Sequence, residues 1–183
     1  MSRPTNARIF WGAAIVVVVL DIVTKVAIQN TLPMLEPKRI IGDVVRFTLV
    51  YNRGAAFSMS LGPQSRYIFG AFALVALFIL WRLYRQAPHD RLRALALGLA
   101  CGGAAGNLVD RIRESRGVVD FIDIGVGTVR FWTFNVADSA VTVGAILLAW
   151  VLWHEDRQGA DRRRRPRAEK AAQGEQVEGQ SGA

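Results

Sequence analysis

The sequence predicts an all-α membrane protein, with four transmembrane helices and a small β element capping the bundle on the outer side. Three observations predict it. Apolar residues, 51% of the 183, gather in four runs long enough to cross a bilayer. Lysine and arginine concentrate beside the same ends of those runs. The segments between them carry β-branched and aromatic residues in alternation.

The first run covers 9–28, twenty residues interrupted only by Asp21 and Lys25. At about 1.5 Å rise per residue it spans roughly 30 Å of hydrocarbon. Arg3 and Arg8 precede it as in a secretory leader, but an acid and a lysine stand where a small-residue cleavage site belongs, so the run reads as an uncleaved span. The second run, 67–84, is broken only by Arg82, and the third, 92–109, only by Arg93. Both are terminal and can snorkel. The fourth, 131–153, carries Asp138 about a third of the way along and ends on Trp150 and Trp153, which suit an interface.

Four spans put both termini on one side. Arg3, Arg8, Arg82, Arg85, Arg91, Arg93, Arg157 and the run of arginines at 162–165 and 167 make that side cytoplasmic. The net charge of +8 therefore reflects membrane topology, and no nucleic-acid partner is expected. From 155 onward the chain is polar and nearly free of aromatics, which predicts a disordered basic tail over 155–183 and a membrane domain over 1–154. Outside the spans, 43–51 alternates like a strand, and 118–124 with 128–132 flank Gly125-Val126-Gly127 like a hairpin.

The spans bring scattered charges to one level. Span 1 runs outward and carries Asp21 and Lys25 in its outer part; span 3 also runs outward and ends on Asn107, Asp110 and Arg111. Span 4 runs inward, placing Asn135 and Asp138 at the same depth. An ionisable group at a helix centre costs roughly 2.5–3.5 kcal/mol on insertion scales and needs a partner or water. Asp21 and Lys25, at i,i+4, can pair with each other, a structural role as compatible with the spacing as a functional one. Asp110 can simply anchor the interface or bond nearby backbone. Asp138 has only Asn135 and Ser139 as polar neighbours on its own helix and needs a partner from elsewhere.

Other chemistries find no candidates. Cys101 is a lone thiol within span 3, His89 and His154 lie at the cytoplasmic ends without metal-ligand spacing, and no serine has a plausible base on the outer side. No metal or cofactor is expected. Gly98, Gly102 and Gly106, with Gly103 beside them, strip one face of span 3 for close helix packing. What remains is carboxylate chemistry: one acid kept ionised to take a proton from water, another kept protonated to donate one. Asp138 needs such a companion, and position alone leaves Asp110, Asp120 and Asp123 open.

Five blocks in order resemble the lipoprotein signal peptidase (signal peptidase II) family, from Asp21 to about Gly144. They are Asp21-Ile22-Val23-Thr24-Lys25, Asn52-Arg53-Gly54-Ala55-Ala56-Phe57, the stretch 102–111 ending in Asn107-Leu108-Val109-Asp110-Arg111, Val118-Val119-Asp120-Phe121, and Phe134-Asn135-Val136-Ala137-Asp138-Ser139. The resemblance implies an aspartic endopeptidase of the bacterial inner membrane, with Asp120 and Asp138 as catalytic dyad; a monomer is expected. It makes Asp21, Lys25, Asn52, Gly54, Asn107, Asp110, Arg111 and Asn135 substrate-positioning or dyad-supporting. It implies a diacylglyceryl-modified prolipoprotein as substrate, cut on the amino side of the lipidated cysteine at the outer face, with membrane lipids as the other partner. The competing classes are a proton-coupled transporter, disfavoured by the lack of an inverted repeat, and a scaffold in which Asp120 and Asp138 are dispensable.

Overall fold

The computed structural model describes residues 3–54, 62–86 and 90–157. Helix α1 (Arg3–Thr31) leads into strands β1 (Lys38–Ile41) and β2 (Val45–Asn52). Helices α2 (Ser65–Gln86) and α3 (Arg91–Arg113) follow, then β3 (Val118–Val126), β4 (Val129–Arg130) and helix α4 (Val136–Arg157). All four helices are long and apolar enough to cross a membrane. The strands form one antiparallel sheet in the order β1-β2-β3-β4.

The expected spans fall inside these helices except at one boundary. The fourth run begins at residue 131 in the sequence, but the helix begins at Val136. Phe134 instead forms a bridge with Ile122 of β3, its N–H donating to the Ile122 carbonyl at 3.0 Å. An apolar run of this kind reads alike as span or as sheet edge, because hydropathy does not register backbone pairing. Strand β2 starts two residues later than its alternation indicates, and β4 is two residues long.

Helix α3 sits centrally because its small residues admit neighbours. A Cβ on Gly98 would lie 2.6 Å from the Phe10 carbonyl, and one on Gly102 2.7 Å from that of Ala14, so α1 lies directly against this face. A Cβ on Gly103 would clash with the Ala137 carbonyl of α4, and Gly144 of α4 is likewise closed off by Ala96 and Ala100. Phe10 stacks on Tyr84 at 4.1 Å, joining α1 to α2. Helix α2 leaves Tyr67, Phe72, Leu74, Val75, Phe78 and Ile79 exposed, which suits a face turned to lipid. Asp90 caps α3 by accepting from the Leu92 and Arg93 amides at 2.8 and 3.1 Å. In the last turns of α4, Trp150 meets His154 at 4.4 Å and Arg157 lies over Trp153 at 4.0 Å.

The sheet docks on the end of α1. Ile28 packs with Leu49, Val119 and Phe121, bordered by Leu32, Phe47, Tyr51, Ile122 and Val136. Val119 and Phe121 thus occupy one face of β3 and leave Asp120, by the two-residue period, to the other. All of Val118 to Phe121 are buried, since both faces of β3 are covered.

Candidate active site

Three helices and two strands converge on a set of buried polar side chains. Asp21, Lys25 and Asn135 are 0%, 2% and 0% exposed, and Asp110 and Asp120 are each 3% exposed. Lys25 organises the α1–α3 half. Its Nζ lies 2.7 Å from Asp21 Oδ2, 2.8 Å from Asp110 Oδ2 and 3.0 Å from Asn107 Oδ1, a cation set among two carboxylates and an amide oxygen. The i,i+4 pairing with Asp21 is present, and the sequence gives no hint of the second carboxylate. The two acids have further tasks: Asp21 Oδ1 accepts from the Ala137 amide at 3.0 Å, and Asp110 Oδ2 from the Val119 amide at 3.1 Å. They pin α4 and β3 to the core of the bundle.

Asp120 and Asp138 are handled differently. Neither has a cation within ion-pair distance among the described residues. Their partners are asparagine amides. Asp120 Oδ2 accepts from Asn52 Nδ2 at 3.0 Å and Oδ1 from Asn135 Nδ2 at 2.7 Å. Asp138 Oδ1 accepts from Asn107 Nδ2 at 2.7 Å and Oδ2 from the Asn135 backbone N–H at 3.2 Å. Asp123, the third acid open by position, is instead clasped by Arg130 at 2.6 Å and by Thr48 at 3.3 Å.

Each asparagine is held in one amide orientation by a partner that can only donate. Lys25 faces Asn107 Oδ1, the Gly54 amide donates to Asn52 Oδ1 at 3.0 Å, and the Asp138 amide donates to Asn135 Oδ1 at 2.9 Å. The other end of each amide is therefore an NH₂ group, and all three present it to a carboxylate. Asn135 and Asp138 also form a reciprocal cap at the start of α4. The pattern Asn-x-x-Asp before an apolar run is the signal from which this cap is readable.

Gly54 and Arg111 complete the frame. The Arg111 guanidinium donates to the carbonyls of Asn107 at 3.1 Å and Gly54 at 3.2 Å, tying the loop after β2 to α3. Gly117, at φ +127°, brings the chain so close over the Asn52 carbonyl that no side chain fits there. Ala55 to Phe57 of the second block lie outside the described residues. Both acids line a cavity of about 370 Å³ with Asn52, Gly54, Asn107 and Arg111. Trp132, Thr133 and Phe134 form its other wall, of which Phe134 alone falls in a motif block. Burial, and then the neighbouring charge of Asp138, push the Asp120 carboxyl up to about 7 against the opposing pull of Asn52, Lys25 and Asn135.

Four apolar helices, a sheet docked on one end and two carboxylates without cations beside a cavity define a multi-pass membrane protein with a polar site at one end of its bundle. Two solved structures, each titled a bacterial membrane enzyme, share this fold. One superposes with a TM-score of 0.73 at 31% identity over 84% of this chain and 90% of its own; the other gives 0.70 at 31% over 83% and 97%. The chain belongs to the signal peptidase II family, whose sequence profile matches residues 13–154, and is thus a membrane peptidase. The lipoprotein signal peptidase of Burkholderia mallei strain SAVP1 is 38% identical over 141 residues, 76% of this chain and 84% of that protein. That of Burkholderia cenocepacia strain HI2424 is 36% identical over 155 residues, 82% and 92% respectively. Membership of a peptidase family sets aside the transporter and scaffold readings.

Proposed function

We propose that this chain removes signal peptides from diacylglyceryl-modified prolipoproteins, cutting on the amino side of the lipidated cysteine with Asp120 and Asp138 as a water-activating dyad. The observation that carries the reading is the contrast among the acids. Asp21 and Asp110 share Lys25 and Asp123 has Arg130, whereas Asp120 and Asp138 face one cavity and, among the described residues, receive only neutral N–H donors. A carboxyl that holds its proton until about pH 7 beside a second carboxyl matches what hydrolysis without a metal requires.

In this reading Asn52, Asn107 and Asn135 hold the dyad, Arg111 and Gly54 position the substrate chain, and Asp21, Lys25 and Asp110 keep the helices in register. The apolar surface of Phe131, Trp132, Phe134 and Val143 beside Asp138 suits the lipid-bearing side of the substrate. The cavity end faces outward and both termini are cytoplasmic, with arginines at the inner ends of the spans. The chain works as a monomer of the bacterial inner membrane. The basic tail expected from 155 begins later, since 155–157 complete α4; residues 158–183, the proposed cytoplasmic tail, lie outside the described residues.

The test is cleavage of a purified diacylglyceryl-modified prolipoprotein in detergent by wild type, Asp120→Asn and Asp138→Asn, beside its unlipidated counterpart. Cleavage of the lipidated form alone, lost in both folded variants, is the expected result. A variant that cuts at the normal rate removes its residue from the dyad, and equal cleavage of the unlipidated form removes the lipid requirement.

A further inference from the structure

We infer that the dyad's single proton rests on Asp120 in the resting enzyme, so that Asp138 is the base that deprotonates water and Asp120 the acid that protonates the scissile carbonyl. This rests on the dyad reading above and adds the division of labour within it.

The two acids stand in unlike places. Asp138 is the third residue of α4, inside a reciprocal cap with Asn135 at the positive end of the helix dipole, where negative charge is stabilised. Its two oxygens accept from the Asn135 backbone at 3.2 Å and from Asn107 at 2.7 Å. One donor is a peptide N–H of the helix cap itself, whereas both donors to Asp120 are side-chain amides. Asp138 is also only partly buried. Asp120 lies within β3, 3% exposed, outside any helix, with two neutral side-chain amides as donors. Burial opposes its charge with less to offset it.

The charged groups around the pair do not reverse this. Lys25 on α1 lies between Asp21 and Asp110. Arg111 on α3 interacts with both dyad acids. Asp123 and Arg130 on the sheet neutralise one another. The value of about 7 for Asp120 agrees with the geometry.

The proton balance then follows. Water gives a proton to Asp138 while its oxygen bonds to the carbonyl carbon, and the carbonyl oxygen takes the proton of Asp120 to give a gem-diol. As the C–N bond breaks, Asp138 passes its proton to the leaving nitrogen and one diol hydroxyl returns a proton to Asp120. Both acids regain their starting states, and one water has been added across the peptide bond.

Infrared difference spectroscopy of the purified full-length protein, titrated from about pH 5 to about pH 9, tests this. Wild type should lose a carboxylic-acid C=O band with a midpoint near 7. Asp120→Asn should lack that band. Asp138→Asn should keep it at the acid end with a lower midpoint, because the like charge is gone. Asn52→Ala, which removes a donor to ionised Asp120, should raise the midpoint and keeps the test open where Asp138→Asn does not fold. A band retained in Asp120→Asn, missing from folded Asp138→Asn, or unmoved in Asn52→Ala overturns the assignment. The dyad reading fails separately, when either Asn variant cleaves normally.

Discussion

Lys25 fixes the orientation of Asn107: its Nζ lies 3.0 Å from Asn107 Oδ1, and the amide nitrogen of the same side chain lies 2.7 Å from Asp138. A lysine on the first helix thereby decides which end of an amide on the third meets an acid on the fourth. Lys25→Met leaves Asp21 and Asp110 buried without a cation, at a cost of about 3–5 kcal/mol. Adding Asp21→Asn and Asp110→Asn should restore the melting temperature in detergent. Turnover should stay about 100-fold down, because Asn107 is then held by the Asn135 amide alone and the proposed dyad loses its alignment. Recovery of activity together with stability would show that Lys25 is only a counter-ion.

The raised value of Asp120 links stability to pH with a definite sign. Between the unfolded value of 3.8 and about 7 the native protein binds the extra proton, so stability falls as pH rises through that window and the full penalty is present above it. Asp120→Asn should therefore melt higher than wild type at pH 8 and lose this pH dependence, while being inactive. Thermal unfolding at several pH values, beside an activity assay, reads both effects.

Cleavage itself should have an alkaline limb. In the proposed mechanism Asp120 holds its proton until about pH 7, so kcat/KM should decline about tenfold per unit well above that pH. Asn52→Ala should move the limb upward, since the amide it removes favours the ionised form. A limb that moves downward would contradict the hydrogen-bond argument.

Glycine positions on α3 make a packing prediction. A methyl at Gly102 would lie 2.7 Å from the Ala14 carbonyl and 2.8 Å from Val17 Cβ, both on α1. Gly102→Ala should destabilise by about 1–3 kcal/mol and depress turnover by parting Lys25 from Asn107. Gly70→Ala, in open space on α2, should be neutral or slightly stabilising. Melting curves of the two variants provide the comparison.

Asp123 is the control among the acids. It also faces a cavity with Asp120, but Arg130 neutralises it. Asp123→Asn should keep most of the turnover while loosening the β3–β4 hairpin, visible as faster proteolysis there.

The parts legible in the sequence are those written in local pattern. Apolar run length gave the helices, and the direction of each span put Asp21, Lys25, Asn107, Asp110, Asn135 and Asp138 at one level. Strand β1 was not legible, because Lys38 to Ile41 are all exposed and no inside–outside alternation can arise. The start of α4 was misplaced because Phe131 to Phe134 are as apolar as a span yet bond to β3. The companion of Asp138 stayed open among three acids until family motifs named Asp120. What sets Asp110 and Asp123 apart from Asp120, Lys25 on the one and Arg130 on the other, are contacts between separate elements.

Asn135 touches both acids at once, through its side-chain nitrogen to Asp120 and through its backbone N–H and side-chain oxygen to Asp138. One residue's bond lengths and angles therefore serve as the gauge between them. Changes in bilayer thickness or lipid tension that tilt the helices must shear three hydrogen bonds before they can alter the gap. The chemistry is in this way insulated from the mechanical state of the membrane that surrounds it.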